Sequence, residues 1–221
     1  MKNDPIGDAR QHREMILEEV HDQKRERILA VAEELFFQRG YAGTTMSDIV
    51  EQLGVAKPYL YYYFSSKAEI YETLTLRSSQ ACLTAMHFDA SDTRPAVEKL
   101  REGLQRFATA NVLYFKSGTF AYRESATRHP EVDREVRNLA RKFYKELRCL
   151  LEEGRKNGDL DFEDTKLTAF AIGSIAGFLY TWYKPEGTIS PENMAAQLTS
   201  ILLRIAGDRQ RTRARRRSCT G

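Results

Sequence analysis

The sequence predicts an all-α protein with about nine helices. Apolar residues recur with a 3.6-residue period along most of the chain, and no segment shows the sustained alternation of a half-buried strand. The chain has 6 prolines and 13 glycines among 221 residues, which leaves room for long uninterrupted helices. A hydrophobic content of 42% is enough for a packed core. We therefore expect a water-soluble helical protein.

The first helix is predicted to begin near Asp22 and to end at Gly40. Its apolar positions fall on one face, at Ile28, Leu29, Ala32, Leu35 and Phe36. We expect residues 1–21, which are polar and mixed in charge, to form a flexible arm.

Two short helices and a longer one are predicted next. Thr45 and Asp48 have capping-box spacing and mark the start of the second helix, which ends at Gly54. The third is predicted over Pro58–Phe64, with proline near its start. Ser66 and Glu69 form a second capping-box pattern, which predicts a fourth helix over roughly 67–87.

The C-terminal part is predicted to contain five more helices. The first opens at Pro95 and is broken by Lys116–Gly118. The others are a short helix over Thr119–Thr127, a long one from Pro130 to near Gly154, a buried one over Thr165–Tyr183 and a last one from Pro191 to near Gly207.

The net charge of +3 comes from the end of the chain. The last fourteen residues contain six arginines and one aspartate, so residues 1–207 carry a net charge of −2. We expect residues 208–221 to be a disordered Arg-rich tail that adds unspecific DNA affinity. Any specific contact with nucleic acid must then come from placed side chains rather than from a broad basic surface.

The second and third predicted helices, joined by a tight turn at Gly54, have the pattern of a helix-turn-helix. In the third helix Leu60 and Phe64 are spaced to face inward, whereas Lys57, Tyr59, Tyr62 and Tyr63 can face outward. Tyrosine hydroxyls can donate to phosphates, and the rings can pack on sugars or thymine methyl groups. Because one short helix cannot bury four tyrosine rings at once, double-stranded DNA is a better explanation for them than core packing.

This segment resembles the DNA-binding domain of TetR-family transcriptional regulators. The resemblance covers residues 20–67 and rests on Phe36-x-x-x-Gly40-Tyr41, Thr44-Thr45, Ile49, Gly54-Val55, Leu60-Tyr61-Tyr62-Tyr63-Phe64 and Lys67. Ala56, where the family often has Ser or Thr, and Pro58, where it often has Gly, depart from the pattern.

The resemblance implies a role for each matching residue. Thr44 or Thr45 would contact a phosphate, and Lys67 would meet another at the start of the fourth helix. The residues at the groove end of the recognition helix would be Lys57, Pro58 and Tyr59, and those that anchor the DNA backbone would be Tyr61, Tyr62 and Tyr63.

The resemblance further implies that residues 22–70 form the DNA-binding domain and residues 71–207 a helical ligand-binding and dimerisation domain. The predicted pocket residues are Phe107, Asn111, Tyr114, Phe115, Phe120, Tyr122, Phe143 and Tyr144. Taken singly, each aromatic residue among them is more often part of the ordinary core than a ligand contact. Asn111 interrupts an apolar stripe and would bond either a ligand carbonyl or a neighbouring helix.

Three patterns bear on the effector and the dimer. Trp182–Gly187 resembles a W-Y-x-P-x-G break found in a subgroup whose members respond to acyl-CoA thioesters. The predicted long helix has a basic side, either solvated or contacting a phosphate-bearing ligand, at Arg137, Arg141, Lys142, Lys145 and Arg148. Ala169, Gly173 and Gly177 are small residues at four-residue spacing, which predicts close helix packing across a homodimer interface.

Other function classes lack a sequence signal. The 4 histidines and 3 cysteines have no metal-ligand spacing, and we find no catalytic or cofactor-binding motif. No apolar run is long enough to span a membrane, and the absence of an export signal leads us to expect a cytoplasmic protein.

We therefore predict a dimeric, effector-released repressor that is not an enzyme and needs no cofactor. Two alternatives are a multidrug-type sensor of hydrophobic cations, for which Glu124 is the available acid, and a carrier or enzyme that retains a relic helix-turn-helix.

Overall fold

The computed structural model describes residues 5–125 and 128–208, with side chains from Met15 onward. Over these residues the fold is all helical, as predicted, with nine α-helices, a 3₁₀ turn at Leu179–Thr181 and no strand. The described residues divide into two compact units, the first ending at Leu74 and the second beginning at Thr75. The predicted Arg-rich tail lies, apart from Asp208, outside the described residues.

The first unit contains helix α1 (Pro5–Arg39), α2 (Met46–Leu53), α3 (Lys57–Tyr63) and the first residues of α4 (Lys67–Leu83). Its core joins the predicted apolar face of α1 to α2, α3 and α4, through Ile28, Leu29, Phe36, Ile49, Leu60 and Ile70. This arrangement leaves one side of α3 uncovered.

Helix α1 begins at Pro5, not near Asp22, so residues 5–21 continue the helix where an arm was predicted. The sequence contains neither glycine nor proline from residue 8 to residue 39 and therefore offers no break. Apolar side chains on this extension, from Met15 to Val20, are exposed, so this part of the helix extends beyond the core.

Local signals set the ends of α2 and α3. Thr45 and Asp48 form the predicted capping box, and Gly54 ends α2 in the left-handed conformation with φ 66°. Ala56 offers no side-chain cap to α3. The second capping box is different from the prediction: Ser66 Oγ accepts from the Glu69 backbone N–H, but the Glu69 carboxylate accepts from Ser65 instead.

The second unit is built around helix α5 (Ala96–Leu113). It packs against α7 (Pro130–Lys156) and α9 (Pro191–Ile205), while α8 (Thr165–Gly177) contacts α5, α7 and α9. Helix α6 (Phe115–Arg123) follows α5 after a single non-helical residue, Tyr114.

Several predicted boundaries in the second unit are wrong. Lys116–Gly118 lies inside α6 rather than breaking a helix, because one glycine costs only about 1 kcal/mol within a helix. Helix α4 ends at Leu83 instead of near 87, and α8 ends at Gly177 before the 3₁₀ turn. The predicted fully buried helix is one-sided, since Leu167 and Phe170 of α8 are exposed.

None of the helices in the described part of the chain has the length and apolar character needed to cross a membrane.

Candidate DNA-binding and effector sites

The outer side of α3 presents four side chains to solvent. Lys57 and Pro58 lie at its start, and Tyr61 and Tyr62 are 46% and 74% exposed. Leu60, in contrast, is fully buried, as its predicted inward position requires. Exposed tyrosines of this kind can donate to phosphates and pack against sugars.

Tyr59 and Tyr63 are half-buried in a small aromatic cluster instead of fully outward. The ring centre of Tyr63 lies 5.2 Å from that of Tyr59 and 5.0 Å from that of Tyr62. Partial burial raises the pKa of the Tyr63 hydroxyl, and the neighbouring Tyr59 and Tyr62 add to this shift. The neutral, hydrogen-bond-donating form of Tyr63 is therefore favoured.

The structure separates the two threonines before α2. Thr44 is fully buried, and its hydroxyl donates to the carbonyl oxygens of Leu35 and Gly40. It is therefore unavailable to a phosphate. Thr45 is exposed, but its hydroxyl accepts from the Asp48 backbone N–H and donates to the Asp48 carboxylate.

Lys67 does not extend into solvent as a phosphate contact would. Its ammonium donates to the carbonyl oxygens of Tyr41 and Thr44 at 2.6 and 2.7 Å, and it lies 4.1 Å from the ring centre of Tyr41. Two of its three N–H groups are thus used within the domain. The geometry favours a positioning role for Lys67.

The predicted pocket residues have different surroundings in the structure. Phe107 and Phe143 are buried and in ring contact, with centres 4.7 Å apart, and Phe115 is buried against Tyr183. Tyr144 contacts Phe143, with ring centres 5.4 Å apart. The other three aromatic residues fall elsewhere: Phe120 in the core, Tyr114 near Arg77, and the exposed Tyr122 against Phe178 and Tyr180. Most of these residues serve as core, the alternative that the sequence left open.

Asn111 makes a hydrogen bond within its own helix. Its side-chain amide donates to the carbonyl oxygen of Phe107, one turn earlier on α5, at 2.8 Å. One N–H of this polar side chain in an apolar stripe is thus used by its own helix, and the predicted bond to a ligand carbonyl stays a prediction.

The small residues of α8 do not share one interface. Ala169 and Gly173 are buried, and a Cβ atom at Gly173 would overlap the hydroxyl of Tyr144 on α7. Gly173 therefore allows close packing of α7 on α8 within the chain. Gly177 is exposed, with no atom within 4 Å of its Cβ position.

A groove of about 430 Å³ lies between α7 and α8. Its cationic side chains come from both helices: Arg137, Arg141 and Arg148 from α7 and Lys166 from α8. Apolar and aromatic residues complete it: Ala140, Tyr144, Ala169 and Phe170. Arg137 pairs with Asp133, and Arg148 donates to the carbonyl oxygen of Tyr144. Within the described ranges Arg141 and Lys166 have no carboxylate partner.

Some residues of the groove were predicted from the sequence and others were not. Tyr144 and three members of the predicted basic side line it, whereas Lys142 and Lys145 do not. Lys166 and Phe170 were not predicted. Their only signal is a spacing of four residues on α8, which does not reveal the helix they face.

Large apolar side chains are exposed on and just after α8. Leu167 is 70% exposed, the half-exposed Phe170 and Phe178 follow at helical spacing, and Trp182 is exposed after the 3₁₀ turn. We call these four residues the α8 apolar surface. Exposed clusters of large apolar side chains are characteristic of protein interfaces.

Metal ligands do not cluster in the described part of the chain: no group of three or more His, Cys, Asp or Glu side chains is placed to hold an ion. The Cys82 thiol is buried, which raises its pKa to about 12 and keeps it protonated.

Comparison with known proteins identifies the family. Residues 28–74 match the model of bacterial regulatory proteins of the tetR family, and residues 93–206 match that of the tetracyclin repressor-like C-terminal domain. The transcriptional repressor KstR2 of Mycobacterium tuberculosis is 29% identical over 187 residues, 81% of this chain and 91% of that protein. The transcriptional activator FasR of Mycolicibacterium smegmatis is 33% identical over 86 residues, which are 39% of each chain.

Solved structures share the fold. The TetR-family regulator PfmR from Thermus thermophilus superposes with a TM-score of 0.69 at 26% identity, covering 80% of this chain and 97% of that chain. AibR in complex with isovaleryl coenzyme A and operator DNA gives a TM-score of 0.61 at 22% identity, covering 81% and 97%. The chain belongs to the TetR family of transcriptional regulators, with a helix-turn-helix DNA-binding domain followed by a helical C-terminal domain.

Proposed function

We propose that this protein is a homodimeric transcriptional repressor that is released from a palindromic operator by an anionic, amphipathic effector such as an acyl-CoA thioester. The uncovered side of α3 carries the DNA-binding part of the proposal. Lys57, Tyr61 and Tyr62 are exposed together there, and Thr45 lies at the start of α2. Such a helix fits the major groove, where a few of its side chains can contact base edges and phosphates.

Two copies of α3 give the specificity that one near-neutral helix cannot. The α8 apolar surface supports a second copy of this chain as its occupant, because self-association would bury Leu167, Phe178 and Trp182. We expect a dimer by light scattering, and Leu167→Glu with Trp182→Glu to give monomers. The exposed α7 residue Glu135, changed to Lys, is the control. A monomeric wild type would contradict the dimer.

The α7–α8 groove supports the effector class. Three arginines and a lysine favour phosphate or carboxylate oxygens, and the adjacent Tyr144 and Phe170 favour an apolar group. The same charges disfavour a hydrophobic cation, the alternative effector. KstR2 and AibR are each similar over 81% of this chain, and AibR was solved with isovaleryl coenzyme A.

The effector proposal is tested by thermal shift and by DNA release with a panel of acyl-CoA thioesters. Free coenzyme A and the matching free fatty acids test whether both the phosphate and acyl parts are needed. Arg141→Ala and Lys166→Ala should weaken binding, and Lys145→Ala, on the same helix but outside the groove, should not. Equal binding by all variants would place the effector elsewhere.

Release by an effector requires a difference in its affinity for the DNA-bound and DNA-free states. Helix α4 begins in the first unit and continues into the second, so it offers a covalent route for this coupling. DNA binding itself is tested by fluorescence anisotropy with the region upstream of the coding sequence. The absence of any preference over random duplex DNA, even at low salt, would favour a carrier or an enzyme.

A further inference from the structure

Two residues of α1 contact the C-terminal part of the recognition helix. The ring centre of His21 lies 4.8 Å from that of Tyr63 and 6.1 Å from that of Tyr62. One turn further along α1, the Arg25 guanidinium carbon lies 4.7 Å from the ring centre of Phe64. Both residues precede residue 28, where the match to the family model begins.

His21 thereby joins the aromatic cluster of α3. Tyr63 is held between His21 and Tyr59, and Tyr62 meets both His21 and Tyr63 edge-on. Tyr62 is also the most exposed aromatic residue on the side of α3 proposed to meet DNA. The cluster therefore links a residue of α1 to the DNA-facing rings.

An isolated exposed tyrosine on a seven-residue helix has several side-chain rotamers open to it. Packing against a neighbouring ring removes some of them before DNA arrives, which lowers the entropic cost of ordering the side chain on binding. The benefit falls on specific binding, because only a specific site needs the rings in one orientation.

We propose that His21 is a positioning residue that holds Tyr62 and Tyr63 of α3 in their DNA-binding orientation, while Arg25 fixes the end of the same helix through Phe64. The inference rests on the proposed DNA contact of α3. It assigns a role to a part of α1 that lies outside the matched family segment. His21 acts through its ring contacts with the two tyrosines.

The test uses the full chain and a duplex that the wild-type protein selects from a random-sequence library. An aromatic pair contributes enough that His21→Ala should weaken binding to this duplex between about 2-fold and 10-fold. Binding to an unselected duplex should stay the same. His21→Phe, which keeps a ring, should restore most of the affinity, and Gln23→Ala, an exposed neighbour on α1, should have no effect. Melting temperatures check that each variant is folded.

A double-mutant cycle separates positioning from general destabilisation. If His21 acts through the ring cluster, His21→Ala should have little effect in a Tyr62→Ala, Tyr63→Ala background. Full additivity, or an unchanged affinity of His21→Ala, would overturn the inference. If His21→Phe fails to restore binding while the cycle is additive, His21 contacts the DNA itself. A wild type that selects no duplex would overturn the proposed function as well.

Discussion

The ammonium group of Lys67, the first residue of α4, lies 2.7 Å from the carbonyl oxygen of Thr44, the last residue before the N-cap of α2. Lys67 donates a second hydrogen bond to the carbonyl oxygen of Tyr41. Through these two bonds it connects α4 to the loop that precedes α2. The orientation of α2 therefore depends on Lys67, which lies 23 positions after Thr44 in the chain.

Replacing Lys67 with Met should lower the free energy of unfolding by about 1–2 kcal/mol, since the carbonyl groups lose a charged donor at a partly buried site. Affinity for DNA should fall as well. The slope of log affinity against log salt should stay the same, because the Lys67 ammonium is hydrogen-bonded to backbone carbonyl groups and does not neutralise a phosphate. Lys57→Met is the matched variant. It should leave stability unchanged and reduce the slope by about 1. Equal slope losses for both would show that Lys67 contacts a phosphate.

The capping box of α2 should make the first unit sensitive to acid. Hydrogen bonds from the Thr45 side chain and backbone lower the pKa of the Asp48 carboxyl below its ordinary 3.8, helped by Arg39 and Lys67. A lowered folded-state pKa means that this contribution is complete above pH 3.8 and disappears as the pH falls below it. Urea unfolding from pH 6 to pH 2 should show this loss in the wild type, and Asp48→Asn should be less stable at pH 6 with a flatter profile. If the free energies of unfolding of the wild type and Asp48→Asn change in parallel with pH, Asp48 does not cause the sensitivity to acid.

A side chain at Gly173 should displace Tyr144. In Gly173→Ala the new Cβ would overlap the tyrosine hydroxyl and lie 2.8 Å from Cζ, so the Tyr144 ring must move from its packing on α8, at a cost of about 1–3 kcal/mol. Gly177→Ala should be neutral or slightly stabilising, because its Cβ position is open. Adding Tyr144→Phe to Gly173→Ala removes the overlapping oxygen and should recover part of the loss. Denaturant unfolding measures all four proteins, and equal stability of the two alanine variants would contradict the prediction.

The ion pair between Arg101 and Asp208 should anchor the end of the C-terminal unit. Asp208 is 1% exposed and accepts two hydrogen bonds from Arg101, at 2.7 and 2.8 Å. This pairing raises the pKa of the guanidinium. Asp208→Ala should cost about 2–4 kcal/mol, because it leaves Arg101 without its acceptor. The double variant with Arg101→Ala should cost less than the sum of the single variants. Strict additivity would show that the two residues act independently.

The helix-turn-helix was accessible from the sequence because its signals are local. The capping box at Thr45, the left-handed Gly54 and the inward spacing of Leu60 and Phe64 each involve residues within about four positions of one another. Such signals depend on backbone geometry and on a single helix face, so no distant partner is needed to interpret them. The family match confirms the same segment.

The surroundings of the predicted effector and dimer residues could not be predicted, because periodicity shows that a helix face is apolar but not what it packs against. Gly173 was assigned to a second chain, yet it accommodates Tyr144 of the same chain. Asn111 was predicted to bond a ligand or a neighbouring helix, and the structure shows that one N–H of its amide donates to its own helix. A four-residue spacing places residues on one helix face, but it is the same whether that face packs within the chain, against a second chain or against a ligand.

By itself, the sequence determined the helical class, the position of most helix ends, the DNA-binding motif and the family. These follow from short-range hydrogen bonding and from apolar periodicity, which the order of residues contains directly. Tertiary structure alone decided that Lys67 faces the Thr44 carbonyl, that His21 meets Tyr63 and that cations of α7 share a groove with Lys166. Each of these contacts joins residues that are far apart in the chain, so it exists only once the packing of helices has brought them together.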